Sequence, residues 1–190
     1  MRALIAGLAA VWPSGARAHD AFGDLGPFYA NALHPLVDPF QGVLLLGAAI
    51  LMSRQTIETV RLAYAVLATS GVAAVAAQAI IGAGPGPPAF LAALIFALGA
   101  GAIAGPAMPR GLVAPLMASA GLAAGSAWTV DPTSSDVWLA VAGGALGVTA
   151  LPLLAWGAFD LAVRRIGSLA AAVAGSWVAA IGIMAAALAL

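Results

Sequence analysis

Three residues in one short stretch have types and spacing that could do chemistry. His34, Asp38 and Gln41 bring an imidazole, a carboxylate and an amide together in His34-Pro35-Leu36-Val37-Asp38-Pro39-Phe40-Gln41, at the head of an apolar run of membrane length. His34 and Asp38 are four apart, so on a helix both side chains project from one face. Polar groups at membrane depth mark a pathway or a site. The same letters also carry a plainer meaning. Asp38 as N-cap, Pro39 at the first helical position and Gln41 at the third make a capping box that starts a helix. On that reading these residues are punctuation, and both readings stand on the sequence.

A helix from Pro39 to Arg54 rises only about 24 Å, short of a hydrocarbon core roughly 30 Å thick. Part of the stretch from Pro27 to Asp38 must therefore also lie at or in the membrane. Two further candidate ligands lie outside this stretch. Met1 to Ala18 reads as a signal peptide, with Arg2 as its charged end, Ala3 to Trp12 as an apolar core too short to span, and Ala16-Arg17-Ala18 as the cleavage site. Cleavage leaves His19 at the new N-terminus, where amine and imidazole together offer a bidentate nitrogen pair to a metal, or simply a solvated polar end. Gln78 lies toward the outer end of the second apolar segment, on the same side as His34.

Composition bounds everything else. With 63% hydrophobic and 7% charged residues in 190 and a mean hydropathy of +1.06, the chain cannot present a polar surface to water all round. It reads as an all-α, polytopic membrane protein: a signal segment over 1–18, then one six-helix domain over 19–190. Net charge is zero and there is no basic patch, so no nucleic-acid partner is expected. The absence of cysteine excludes disulfides, iron-sulfur clusters and thiolate metal sites. No resident cofactor is expected, and all seven basic residues are arginine.

Six apolar segments follow the signal: Leu33 to Met52, Thr59 to Ile81, Ala89 to Ala104, Leu112 to Trp128, Val137 to Phe159 and Leu169 to Leu190. Arg54 and Arg61 flank the first loop, Arg110 the third, and Arg164 with Arg165 the fifth, whereas the second and fourth loops carry no arginine. By the positive-inside rule the odd loops are cytoplasmic and both ends of the mature chain lie outside, in the periplasm of a bacterial inner membrane. Arg54 with Glu58, and Asp160 with Arg164, are spaced as helix-end ion pairs. Trp128 and Trp138 fall near the outer boundary and Trp156 near the inner one, where interfacial aromatics sit. Asp131 and Asp136 make the fourth loop the most acidic external piece, in positions typical of turn formers.

Glycine pairs four apart at Gly101 with Gly105, Gly121 with Gly125, and Gly143 with Gly147, continued by Gly175 with Ala179, predict tight helix packing. Pro115 and Pro152 fall within helices and predict local kinks.

A cleavable signal ending just before a histidine, six helices with both ends outside, and His-Pro-Leu at the start of the first helix together resemble the HupE/UreJ family. That family comprises small bacterial membrane proteins regarded as nickel or cobalt permeases serving hydrogenase and urease maturation. Its first-helix pattern, His-Pro-Leu-x-Gly-x-Asp-His before a leucine-rich run, falls here on His34 to Gln41, followed by Gly42-Val43-Leu44-Leu45-Leu46-Gly47. His34, Pro35 and Leu36 match; Phe40 and Gln41 stand where the family has its Asp-His pair, leaving Asp38 as the nearby carboxylate. The chain also has no histidine after His34, where the family commonly carries one in a later helix. The polar side chains of the later helices are Thr69, Ser70, Gln78, Ser119, Ser126, Thr149 and Ser176, poor ligands for nickel or cobalt.

The resemblance implies a permease or metal-handling protein, with His19 capturing metal outside and His34 and Asp38, helped by Gln41 and Gln78, passing it inward. Its alternative is a non-transporting membrane subunit that packs against and stabilises a larger membrane complex through glycine and alanine faces; besides the lipid bilayer, the partners open to the chain are such a complex or further copies of itself. An enzyme is not expected: Gly125-Ser126 is reminiscent of an intramembrane serine protease, but no late-helix histidine can serve as its base.

Overall fold

The computed structural model describes residues 25–82, 86–105, 108–127 and 133–188. Within them the chain is all-α, with seven helices: α1 Gly26–Val37, α2 Pro39–Met52, α3 Ile57–Ile81, α4 Pro88–Ala104, α5 Arg110–Gly125, α6 Val137–Ile166 and α7 Leu169–Leu188. The signal segment, its cleavage site, His19, Trp128 and Asp131 lie outside the described residues.

Helices α3, α6 and α7 are each long and apolar enough to cross a membrane, and α1 with α2 qualifies as a fourth crossing if the two are one broken span. This is a membrane protein. The expected helices differ from the observed ones in three places, each with a local cause. The first segment is two helices, beginning at Gly26 rather than Leu33 and bent by 72° at Asp38. The fourth stops at Gly125, one residue before Ser126, whose hydroxyl turns back onto the Leu122 carbonyl at 2.8 Å. The fifth runs on to Ile166, because Asp160 and Arg164 pair across one turn at 2.8 Å and Gly167, at φ 92°, ends it.

Helix α2 is the centre of the bundle. Nine of its fourteen residues are buried, among them Leu44, Leu45, Leu51 and Met52, which meet Leu67, Ile95, Leu98 and Met117 from α3, α4 and α5. Around it the other helices pair, and glycines set the pairs. In α5, Gly121 and Gly125 lie against the α3 backbone at Leu67 to Gly71, and Gly143 and Gly147 of α6 lie against the Phe28 and Ala32 carbonyls of α1. A β-carbon at Gly147 would come within 2.7 Å of the Ala32 oxygen, so only glycine lets these backbones approach. Gly175 and Ala179 of α7 pack on α4 as the sequence suggests, but their partner is Gly99. Gly101 faces Leu51 and Met108, and Gly105 the Arg54 guanidinium, so that expected pair is not a helix-packing seam.

The arginine-bearing loops gather at one end. Arg54 does not pair with Glu58: it donates to the carbonyls of Ala102 and Ser168, each at 3.2 Å, tying the α2–α3 turn to α4 and to the α6–α7 turn. Glu58 pairs instead with Arg110 at 3.7 Å, whose Nε donates to Thr59 Oγ1 at 3.0 Å. Carbonyls capture Arg54 because only four residues separate α2 from α3, and the guanidinium then reaches the last turn of α4, whose carbonyls lack helical partners, rather than its own neighbour. Pro152 lies buried within α6, and the Tyr64 hydroxyl donates at 3.2 Å to the carbonyl of Thr149, in the turn the proline disturbs.

Candidate functional site

The break between α1 and α2 follows from two prolines and a glycine. A residue before proline is pushed out of the helical region, and Asp38 accordingly sits at φ −82°, ψ 109°. Pro39 has no N–H, so the Pro35 carbonyl has no donor four residues on. That carbonyl turns toward Gly42, where a β-carbon would come within 2.6 Å of its oxygen. Gly42 is what lets the chain fold back this closely.

Asp38 restarts the helix. Its Oδ1 accepts from the Gln41 backbone N–H at 2.8 Å, and its own N–H closes α1 on the His34 carbonyl at 2.9 Å. Only half of the expected capping box forms, because the Gln41 side chain does not reach back to Asp38. It points into the bundle, 1% exposed, where Nε2 donates to the Ala124 carbonyl of α5 at 2.7 Å and Oε1 lies 2.8 Å from His34 Nδ1.

This geometry fixes the imidazole's tautomer. Turning the amide over would set its oxygen against the Ala124 carbonyl, acceptor against acceptor, so Oε1 must face the ring. His34 Nδ1 then carries a proton and donates to that oxygen. Metal-binding histidines use the same device, holding one ring nitrogen to present the other. His34 itself is 6% exposed.

A passage leads toward the amide from the end opposite the arginines. A cavity of about 200 Å³ is lined by Asp38, Phe40, Gly86, Pro88, Leu91 and Ala127, so the break, the start of α4 and the end of α5 share one mouth. Beyond Phe40, Leu91 and Ala127 lies a second space of only about 10 Å³, walled by Gln41, Leu44, Ile95 and Ala123. The carboxylate is thus in the outer chamber and the amide in the inner one.

Compared with family models, with curated proteins and with solved structures, the chain matches none. The site is therefore read from its own residues. The structure brings together His34, Asp38 and Gln41. It does not join Gln78 to them: that side chain is 2% exposed, and among the described residues its Oε1 has no hydrogen-bond partner, but it lines neither chamber. Among the described residues no three acidic, histidine or cysteine side chains cluster as a metal site. Sequence reasoning missed the Ala124 carbonyl, which no side-chain motif can announce. It also missed Gly42, although a glycine in the first turn after a proline-capped aspartate is a readable sign of close backbone approach.

Proposed function

We propose that this chain is a bacterial inner-membrane protein of the HupE/UreJ type that moves or hands on a transition-metal cation, nickel or cobalt. The observation that carries the reading is the broken first span, with an imidazole, a carboxylate and an amide gathered at its break. Transporters place their sites at such discontinuous helices, where interrupted backbone and polar side chains face a cavity instead of lipid. Gln41 precedes Met52 by eleven residues, about 16 Å of helix rise. With the arginine loops at the inner edge of a core about 30 Å thick, the amide lies near or beyond the midplane. A cation would meet Asp38 first, in the outer chamber, and then the Gln41 amide that walls the inner one, with His34 held against that amide.

On this reading α1 with α2 forms one broken crossing and α3 to α7 the other five, with both ends of the mature chain outside. Helices α4 and α5 have 17 and 16 residues, and a locally thinned bilayer accommodates them at modest cost. His19 at the processed N-terminus would be the first point of capture.

A second reading has its own observation. Gln41 bridges His34 to the Ala124 carbonyl, and that bridge staples α1, α2 and α5 whether or not a cargo exists. A non-transporting subunit of a larger membrane complex would keep it for stability, and such a subunit would co-purify with a partner in mild detergent.

Metal binding by the purified protein separates the two. Cobalt or nickel titrated into the wild type should bind, His34→Ala should lose that binding, and Gln41→His, which keeps the backbone cap from Asp38, should tighten it by about tenfold through a second imidazole. Equal and negligible binding by all three would leave the staple as the only role of these residues.

A further inference from the structure

At the arginine end, away from the break, a cavity of about 160 Å³ opens between α2, α3 and α6, lined by Met52, Val60, Arg61, Tyr64, Leu153 and Trp156. Apolar spaces of this size stay dry and accept an apolar guest. One residue gives the mouth of the cavity a chemical preference. Arg61 is exposed and, among the described residues, makes no hydrogen bond or ion pair.

The carboxylates nearby are already engaged. Glu58, one turn before Arg61, is held by Arg110 at 3.7 Å, and Asp160, one turn after Trp156, by Arg164 at 2.8 Å. Five arginines face two carboxylates at this end of the bundle, so the surplus charge is positive, and the Glu58 carboxylate that faces Arg61 is shared with Arg110.

We infer that this cavity is a binding site for an anionic glycerophospholipid of the cytoplasmic leaflet, one acyl chain filling the apolar space and the headgroup phosphate seated on Arg61. Guanidinium matches phosphate with paired donors, and basic pockets between membrane helices on the cytoplasmic side hold anionic headgroups. Because the site joins α6 to the α2–α3 turn, a bound lipid braces the central helix near its inner end. The inference rests on the orientation proposed above, which puts the arginine end at the cytoplasmic side, and not on what crosses at the break.

The test is native mass spectrometry of the purified full chain in mild detergent, with phosphatidylglycerol or phosphatidylethanolamine of identical acyl chains. One phosphatidylglycerol per chain should be retained at about fivefold lower lipid concentration than phosphatidylethanolamine. Arg61→Gln should abolish that preference and Arg61→Lys should keep most of it, while Leu153→Trp, which fills the cavity, should release the lipid. Since Arg61 makes no hydrogen bond or ion pair among the described residues, Arg61→Gln without lipid should unfold close to the wild-type temperature. Equal retention of the two lipids by the wild type, or an undiminished preference in Arg61→Gln, would overturn the assignment.

Discussion

The bridge from His34 through Gln41 to Ala124 makes a quantitative prediction about how the break is held. Gln41→Ala removes the acceptor for His34 Nδ1 and the donor to the Ala124 carbonyl, bonds of 2.8 and 2.7 Å between groups that are almost wholly buried. His34→Ala removes only the first. Each single change should cost about 1–3 kcal/mol, because each strands a buried polar group. Side-chain hydrogen bonds in membrane bundles couple by about 0.6 kcal/mol on average and up to about 1.7. A short bond between residues 6% and 1% exposed belongs in the upper half of that range. The double mutant should therefore be about 1 to 1.7 kcal/mol more stable than the sum of the two single losses implies. Reversible unfolding in mixed detergent micelles, followed by circular dichroism for the four proteins of the cycle, measures this directly. Additivity within about 0.3 kcal/mol would refute the reasoning: the two side chains would then not be coupled, and the fixed tautomer of His34 would lose its support.

Other perturbations follow from the same contacts. Gly42→Ala places a methyl 2.6 Å from the Pro35 oxygen and should destabilise the fold by about 1–3 kcal/mol, read in the same unfolding assay, with a change in the bend between α1 and α2 visible by spin-label distances. Because the chain has no native cysteine, single cysteines report accessibility cleanly: Ala127→Cys in the outer chamber should react with a membrane-impermeant thiol reagent, Ala123→Cys in the inner one should not, and Phe40→Ala should make Ala123→Cys reactive. Gly99→Val drives a side chain into the Gly175 carbonyl, 2.6 Å from where its β-carbon would be, and should cost at least about 3 kcal/mol by separating α4 from α7, seen as a collapse in the yield of folded protein. Arg54→Gln should loosen the turn at Ser168, raising proteolysis of the α6–α7 connection from the arginine side.

The helices were largely legible, since each apolar segment ends at a charge, a glycine or a proline, and the structure moves those ends by a turn or two. What could not be read was the depth of the break. The capping signal at Asp38 and Pro39 announces a helix start, yet nothing before it looks like a second helix, because α1 is short and its Pro35 argues against one. Helix α1 exists because Gly143 and Gly147 of α6 accept its backbone, a long-range fact invisible in the segment itself.

Pairings of charge were less legible than segments. Arg54 and Glu58 are ideally spaced for one another, but the α2–α3 turn puts each nearer to a partner from another loop. Arginine placement nonetheless indicated which loops would meet, and three of them do share one end. Within the site, His34, Asp38 and Gln41 were all readable as candidates, while their division of labour was not. Asp38 caps through its carboxylate, Gln41 leaves the cap and turns inward, and the acceptor that directs it is a backbone carbonyl 83 residues away. Trp156 was expected near the inner boundary; that its N–H is buried beside an apolar cavity is something only packing reveals.

A working cation site at the break in the first span would show in metal uptake. Nickel and cobalt accumulation should be measured in cells producing the wild-type chain or its His34→Ala form at matched membrane levels. Uptake by the wild type and its loss in the mutant are expected. Wild-type uptake no greater than that of cells without the protein, or uptake unchanged by His34→Ala, would contradict that reading.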